Sequence, residues 1–451
     1  MYDVGPTQRP GQLGRHRMRG VTAQQTEPAQ HPHPQATRLA PRPGAGPERE
    51  QFAVDVTGQR PGELQRVALA AAEEPASAER RRNHVGHPHV LIVTLLTLGD
   101  PGTMTGGYLY HRRIAELAPA HGAWVEFVSF PARRFPLPML AGPAVLRAVA
   151  RRRSHVLLLD SIAAAFLSPW LRGRPPRRRR PPQPIVGIVH QPPGGIDHAA
   201  VRTWVQALLD RRAYRHAVRL LVASADLADA IRRAGVPGHL LSVVPPGRDV
   251  APAAVPCRGD LRAGRSAAVL SVGNWVARKG LLDLLDAVAR LPQEAVMLHL
   301  VGDAETEPAY GARVRARLAA PDLAGRVVVH GPRSPAEVAG FYQSADVFAL
   351  ASVREPYGTV YGEAMAAGLP VIGWSAGNLP HLARNGVEGM AVPPGDTAAL
   401  AAALRDLAGD ESLRQRMGAA AASRAAEFPT WDETARTLFS ELRAVARGAR
   451  Q

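Results

Sequence analysis

The sequence predicts an α/β protein built from two doubly wound, parallel-sheet domains facing each other across a cleft, preceded by a disordered tail. Three observations carry this expectation. From His89 onward, short apolar runs alternate with stretches of helical spacing, the rhythm of a parallel sheet covered on both faces. The alternation stops once, over Asp249–Gly264, where proline and glycine replace pattern, and then restarts, so two units are joined by a hinge. Residues 1–86 are rich in Pro, Gln, Gly, Arg and His and have no sustained apolar period. Such a composition cannot bury enough surface to offset its ordering entropy.

Taken in order, the first unit (87–248) opens with His89–Leu98 (HVLIVTLLTL), an apolar run that reads as a buried strand. A loop with Gly102, Gly106 and Gly107 follows, then helical spacing over Tyr108–His121. Further strands are expected at Trp124–Phe130, Val156–Asp160, Ile185–His190, Leu220–Ser224 and Leu241–Val244. The second unit (249–429) offers strands at Ala268–Gly273, Ala295–Gly302, Arg326–His330, Val347–Leu350, Pro370–Trp374 and Gly389–Val392. Helical periodicity fills the chain from Asp396, and the last helix, within 430–451, is expected to pack back on the first unit.

Composition excludes several classes. The single cysteine, Cys257, cannot form an internal disulfide. No stretch approaches the ~18 apolar residues of a membrane span, and no secretory leader is recognisable at the N-terminus, so a cytoplasmic protein is expected. The chain carries a formal charge of +16 with one lysine, Lys279, among 55 basic residues. The arginine excess reads as compositional bias. A lone ammonium reads as a position where a compact point charge does what a planar guanidinium cannot.

Two segments carry chemistry. In Ser271–Gly280 (SVGNWVARKG) a strand ends at Gly273, a loop bears Asn274, Arg278 and Lys279, and a helix begins near Gly280. Glycine lets a phosphate approach backbone and the cations neutralise it, although a solvated loop has the same look. In Glu355–Glu363 (EPYGTVYGE), Gly368 and Pro370 stop a helix that must start near Thr359. The free N–H groups at Gly358, Thr359 and Val360 then form an anion site. Glu355 lies before the helix and Glu363 about one turn into it, and a carboxylate accepts two hydrogen bonds from vicinal hydroxyls. A diphosphate between two such carboxylates describes a nucleotide-sugar. The plainer reading, acids favouring a helix N-terminus at about 0.3–1 kcal/mol each, leaves the glycines unexplained.

The spacing of Glu355 and Glu363, with Pro-Tyr-Gly after the first and Ala-Met-Ala-Ala-Gly-Leu-Pro-Val after the second, resembles the signature of retaining glycosyltransferases of family 4. Val243–Asp249, Val272–Gly280, Val301–Asp303 and Ser344–Phe348 fit the same family in order, over about residues 88–448. The resemblance implies the GT-B fold of two Rossmann-like domains. It implies that Glu355 binds the hexose of the donor and Glu363 the ribose. It assigns the diphosphate to Lys279, with Arg278 as helper, and to the amides of Gly358–Val360 beside Tyr357. Gly106 and Gly107 match a glycine loop closing over those phosphates. His190 matches a histidine near the reacting carbon, a role that rests on the resemblance alone. Arg333 lies where the family contacts the base, or is simply an exposed loop cation. Two positions depart: Asn274 replaces an arginine, and Gly377–His381 carries histidine where the family often has glutamate.

The implied chemistry is same-face attack by an acceptor hydroxyl through an oxocarbenium-like state, with protein charge stabilising the leaving diphosphate. No Asp-x-Asp occurs in the sequence, so no metal and no cofactor are expected. An epimerase on the same fold, or a silent nucleotide-sugar-binding protein, remain the alternatives. The basic excess is local: residues 87–248 hold 22 basic and 8 acidic side chains, whereas 249–451 hold 21 and 22. An anionic acceptor is one explanation. The densest run, Arg172–Arg180, reads either as a contact for anionic lipid, at ~1 kcal/mol per cation, or as a tolerated insertion. Without interleaved aromatics or a recognisable fold motif, nucleic acid is not expected.

Overall fold

The computed structural model describes residues 90–101, 106–171, 183–196, 200–248, 255–257 and 259–449. The expectations for the tail 1–86, for Gly102 and for Arg172–Arg180 lie outside these residues. The first sheet contains β1 (Leu91–Leu98), β2 (Ala123–Phe130), β3 (Val156–Asp160), β4 (Ile185–Val189), β5 (Ala217–Val222) and β6 (Leu241–Val243). Its order is β2-β1-β3-β4-β5-β6, with every pair parallel. The second contains β7 (Ala267–Val272), β8 (Val296–Val301), β9 (Val327–Gly331), β10 (Val347–Leu350), β11 (Val371–Trp374) and β12 (Gly389–Val392). Its order is β12-β11-β10-β7-β8-β9, again all parallel. Strands buried on both faces read as continuous apolar runs rather than alternation, which is why β1, β3 and β8 are buried along nearly their whole length.

Each sheet has a core on both faces. Leu96, Phe130, Leu159 and Val222 lie on one side of the first sheet, and Leu95, Tyr110, Ile114 and Leu158 on the other. The helix Trp431–Gly448 completes the second of these, burying Ala435, Leu438, Phe439 and Leu442 there. Its start is fixed by a capping box between Thr430 and Glu433. Around the second sheet, Val269, Leu298 and Trp374 pack on one face and Leu270, Phe348 and Tyr361 on the other.

Three expectations shift. The helix expected over Tyr108–His121 is Gly106–Leu117, followed by a separate turn at Pro119–His121 that closes on Gly122. β4 ends at Val189, leaving His190 as the first loop residue. The hinge expected over Asp249–Gly264 is not featureless in its described second half. Leu261 is buried in the second core, Arg262 pairs bidentately with Asp346 (2.8 and 2.5 Å), and Val255 N–H donates to the Ala336 carbonyl.

Candidate active site

In open parallel sheets, ligands bind beyond the carboxyl ends of strands where the strand order reverses. In the second sheet that point lies between β7 and β10. The loop after β7 carries Lys279 and the loop after β10 carries Glu355, so neighbouring strands deliver them to one place. Lys279 Nζ donates to Glu355 Oε2 at 2.5 Å, both side chains being largely buried. Arg278 stands farther out, its guanidinium 3.6 Å from the same oxygen and donating to the Arg354 carbonyl at 3.1 Å.

Backbone approach makes this meeting possible. Gly280 has φ 65°, and a Cβ there would sit 2.0 Å from the Ala351 carbonyl oxygen. Only glycine lets the two loops come so close. Ser352, which the motif reading overlooked, ties the loops from the other side: its hydroxyl donates toward the carbonyls of Arg278 (3.1 Å) and Arg354 (3.3 Å) and lies 3.5 Å from Glu355 Oε2. Asn378 N–H donates to the Glu355 carbonyl (3.0 Å) and its side-chain amide to the Tyr357 carbonyl (2.7 Å). The loop singled out for its histidine thus holds the signature segment through an asparagine, while His381 is exposed.

The helix after the signature is Thr359–Ala366, and Gly358 is its N-cap with φ 87°. No side chain caps it, and by construction its first N–H groups have no intrahelical acceptor. The amides of Thr359 and Val360 therefore open beside Glu355, whose Cγ lies 3.4 Å from where a Cβ on Gly358 would be. Glu363, on this helix, is exposed and accepts from the Tyr342 hydroxyl at 3.0 Å. Gly273 closes β7, its N–H donating to the Val301 carbonyl. Asn274, in the family's arginine position, accepts the Asp303 N–H (3.2 Å) and so fastens adjacent loops. Arg333 pairs with Glu337 at 3.3 Å on an exposed turn. Nearby His330, 2.9 Å from His299, is pushed down to about 4, chiefly by burial and also by the charges of His299 and Arg333.

The first sheet reverses between β1 and β3, and a second cluster forms there. Asp160, at the end of β3, accepts from the Thr97 hydroxyl (2.6 Å) and bonds His111 Nε2 (2.9 Å). Burial works against its ionisation. The facing His111, His190 and the Thr97 hydroxyl outweigh burial and hold it down at about 2. The His190 ring packs edge-on against Tyr110 and His111, with centroids 4.8 Å away in both cases. Burial, with His111 adding, drives His190 down to about 3, so it is a neutral imidazole near neutral pH. Among the described residues, its buried Nε2 has no hydrogen-bond partner. Gly107 stands against this ring, a Cβ there lying 3.8 Å from Cδ2, and Gly106 opens the helix. The ligating atoms of His111, Asp160 and His190 lie within 4.8 Å of one another, close enough to hold a metal ion. The motif reading found His190 and missed His111 and Asp160.

Three consecutive carbonyls join the halves. Tyr110 OH donates to Val244 (3.2 Å), Thr434 OH to Pro245 (3.0 Å) and Tyr357 OH to Pro246 (3.1 Å). The tyrosine against His190 and the tyrosine of the signature loop therefore hang on one strap.

Comparison with known proteins settles the family. The family described as Glycosyltransferase Family 4 matches residues 68–251, and the one described as Glycosyl transferases group 1 matches residues 266–410. The chain belongs to glycosyltransferase family 4. The match starts ahead of the boundary at 87 that composition suggests. Among family relatives, D-inositol 3-phosphate glycosyltransferase of Xylanimonas cellulosilytica is 32% identical over 232 residues, 49% of this chain and 55% of that one. The lipopolysaccharide core biosynthesis glycosyltransferase LpsE of Rhizobium meliloti is 36% identical over 151 residues, 33% and 42% of the two chains. The chain spans about half or less of the curated relatives' length. A sucrose-phosphate synthase from Thermosynechococcus elongatus superposes with TM-score 0.65 at 20% identity, covering 79% of this chain and all of that one. HepE of Anabaena in complex with UDP and glucose superposes with TM-score 0.62 at 21% identity, covering 78% and 100%. These likenesses show the GT-B fold. Among the described residues, no helix is long and apolar enough to cross a membrane.

Proposed function

We propose that this family 4 member transfers a hexosyl group from a nucleotide-sugar to an acceptor hydroxyl, with retention at the anomeric carbon and without a metal ion. The observation that carries the reading is the Lys279–Glu355 contact at 2.5 Å beside the uncapped helix start at Gly358. A cation and free amides at one point suit a diphosphate, and a carboxylate next to them suits sugar hydroxyls. The structural neighbour solved with UDP and glucose supports a donor of that kind.

In this reading Lys279 and the amides of Thr359 and Val360 stabilise the charge that grows on the leaving diphosphate, and Arg278 assists. Glu355 exchanges its bond with Lys279 for bonds to the hexose. Glu363, steadied by Tyr342, takes the ribose, and Arg333 meets the base. Gly106 and Gly107, at the start of their helix, turn backbone N–H groups toward the same phosphates. His190, a neutral imidazole, bonds a sugar hydroxyl near the reacting carbon. The acceptor approaches the basic first domain, and the Arg172–Arg180 run contacts an anionic surface that carries it.

A thermal-shift panel of nucleotide-sugars, followed by acceptor screening with the best donor, tests the reading. Donor binding by the wild type, lost in Lys279→Ala and Glu355→Ala, supports it, as does a product whose anomeric proton coupling matches the donor's in chelator. Unchanged transfer by those variants overturns it. Asn274 motivates the silent-binder alternative, since its carbonyl oxygen is already spent on Asp303 N–H. Donor binding without turnover on any acceptor would establish that alternative, and conversion of donor without acceptor would establish an epimerase.

A further inference from the structure

The helix Ala200–Tyr214, which follows His190 and its loop, has its polarity inverted. Its inward face carries Gln206 and Asp210, both buried, with Asp210 accepting the Gly194 N–H at 2.9 Å. Its outward face carries Val201, Trp204 and Leu208, exposed by 77, 70 and 57%. Spaced three and four residues apart, these form one stripe. The same stripe continues as Arg212 and Arg215, flanked by Arg211, all exposed and, among the described residues, in no ion pair. Leu171, Leu208, Leu209, Arg212, Arg215 and His216 line a cavity of about 440 Å³ alongside. Arg202 at the helix start lies over the Phe135 ring (5.4 Å), and the turn Leu137–Ala141 just beyond Phe135 exposes Leu140.

We propose that this face seats the protein on an anionic lipid surface, with Trp204 and Leu208 entering the headgroup boundary and Arg211, Arg212 and Arg215 meeting lipid phosphates. It rests on and deepens the membrane part of the function proposed above by assigning a contact to the helix Ala200–Tyr214. Three arguments favour lipid as the occupant. An exposed tryptophan and leucine beside unpaired arginines is the pattern of an interfacial helix. The only acid on the helix points inward, and the surrounding segment holds 22 basic against 8 acidic residues, so the charge complements an anionic plane. A stripe one helix wide falls short of the ~800 Å² per partner that a stable protein interface needs. The helix packs on the helix Ser161–Leu167, whose Ser161 hydroxyl accepts the His190 N–H at 3.3 Å, which brings a lipid-borne acceptor toward the first domain's cluster.

Full-length protein is sedimented with vesicles of phosphatidylcholine alone or with phosphatidylglycerol, at low and high salt. Wild type is expected to partition onto the anionic vesicles at least tenfold better, with the preference falling as salt rises. Trp204→Ser with Leu208→Ser is expected to lower that partitioning at least tenfold while the melting temperature and donor thermal shift stay unchanged. Brominated lipid is expected to quench wild-type fluorescence and not that of Trp204→Phe. Three results overturn the proposal: wild-type vesicle binding by the serine variant, no vesicle binding at all, or a wild-type dimer that the variant dissolves. Neutralising Arg177–Arg180 in parallel separates this face from that arginine run. Donor shifts measured without vesicles keep the transferase reading independently testable.

Discussion

The two sheets reverse order at equivalent points and put opposite kinds of chemistry there. At the second sheet the reversal brings a lysine to a carboxylate between two loops, Lys279 on Glu355, clasped by Ser352, Asn378 and the close approach of Gly280 to Ala351. At the first sheet it buries a carboxylate under a helix, Asp160 between Thr97 and His111, with the neutral His190 edge-on to that histidine. In the proposed reaction the charged pair changes partners, whereas the buried acid keeps Thr97 and His111 and holds their element still. The same contrast appears in net charge, near neutral in the second domain and strongly basic in the first.

The largest expected effect breaks the buried side. Asp160→Ala removes an ionised acid that serves both His111 and Thr97, and should cost about 3–5 kcal/mol of folding stability, as removal of one member of a buried pair does. Urea unfolding measures it, and a loss below about 1 kcal/mol would show that the cluster is better solvated than its burial indicates. Next comes the exchangeable side. Lys279→Ala should raise the transfer barrier by about 2.7–4 kcal/mol, on the order of 10²–10³ in kcat, with a much smaller change in stability. If instead unfolding shifted as much as turnover, Lys279 and Glu355 would be structural like Asp160 and the contrast would fail.

The sequence shows one side of this contrast far better than the other. All twelve strands are found within a few residues of their expected places, because strands of a parallel sheet write themselves as short apolar runs, continuous where both faces are buried. The helix start at Thr359 follows from Gly358 before it and Gly368 and Pro370 after it. Glu355, Lys279 and Gly358 lie in short motifs whose residue types announce their chemistry. His111 and Asp160 are 49 residues apart, each on an element that looks ordinary, and only strand order places one over the other. Ser352 and Asn378 act through backbone carbonyls, which no side-chain pattern reveals. The outward Trp204 was equally hidden, since periodicity finds a helix's apolar face but assumes that it turns inward.

A pH experiment sharpens the buried side without touching the site. Burial raises Asp210 to about 7 from an ordinary 3.8, with the Gly194 N–H only partly opposing it. Below pH 4 the group is protonated in both states and contributes no slope. Between pH 4 and 7 the unfolded chain ionises while the folded one stays protonated, so stability falls as pH rises, by at most about 1.4 kcal/mol per unit for this group. Above pH 7 both states are ionised and the slope ends. Asp210→Asn keeps an acceptor for Gly194 and has no charge to lose. Its stability advantage over wild type should therefore grow from pH 4 to 7 and then level off, as read by urea midpoints across that range. A constant difference would show that Asp210 is already ionised in the fold.

The smallest effect concerns the strap that joins the two sides. Burial raises Tyr357 to about 12, so its hydroxyl is a donor at every working pH. Tyr357→Phe loses only the bond to the Pro246 carbonyl and should cost about 0.5–1.5 kcal/mol. Tyr110→Phe loses the matching bond to Val244. If Val244–Pro246 is held as one piece, each tyrosine supports the geometry that the other needs. Their double-mutant cycle should then show a coupling of at least about 0.5 kcal/mol, since residues sharing a backbone segment do not add. Turnover gives the finer reading. Tyr357→Phe loosens the signature loop relative to the His190 cluster while leaving Lys279 on Glu355, so kcat should fall more than donor affinity. Additive stabilities with unchanged kcat would mean that the exchangeable pair and the buried network work without a shared support, and that the two sides of the site are set by their own sheets alone.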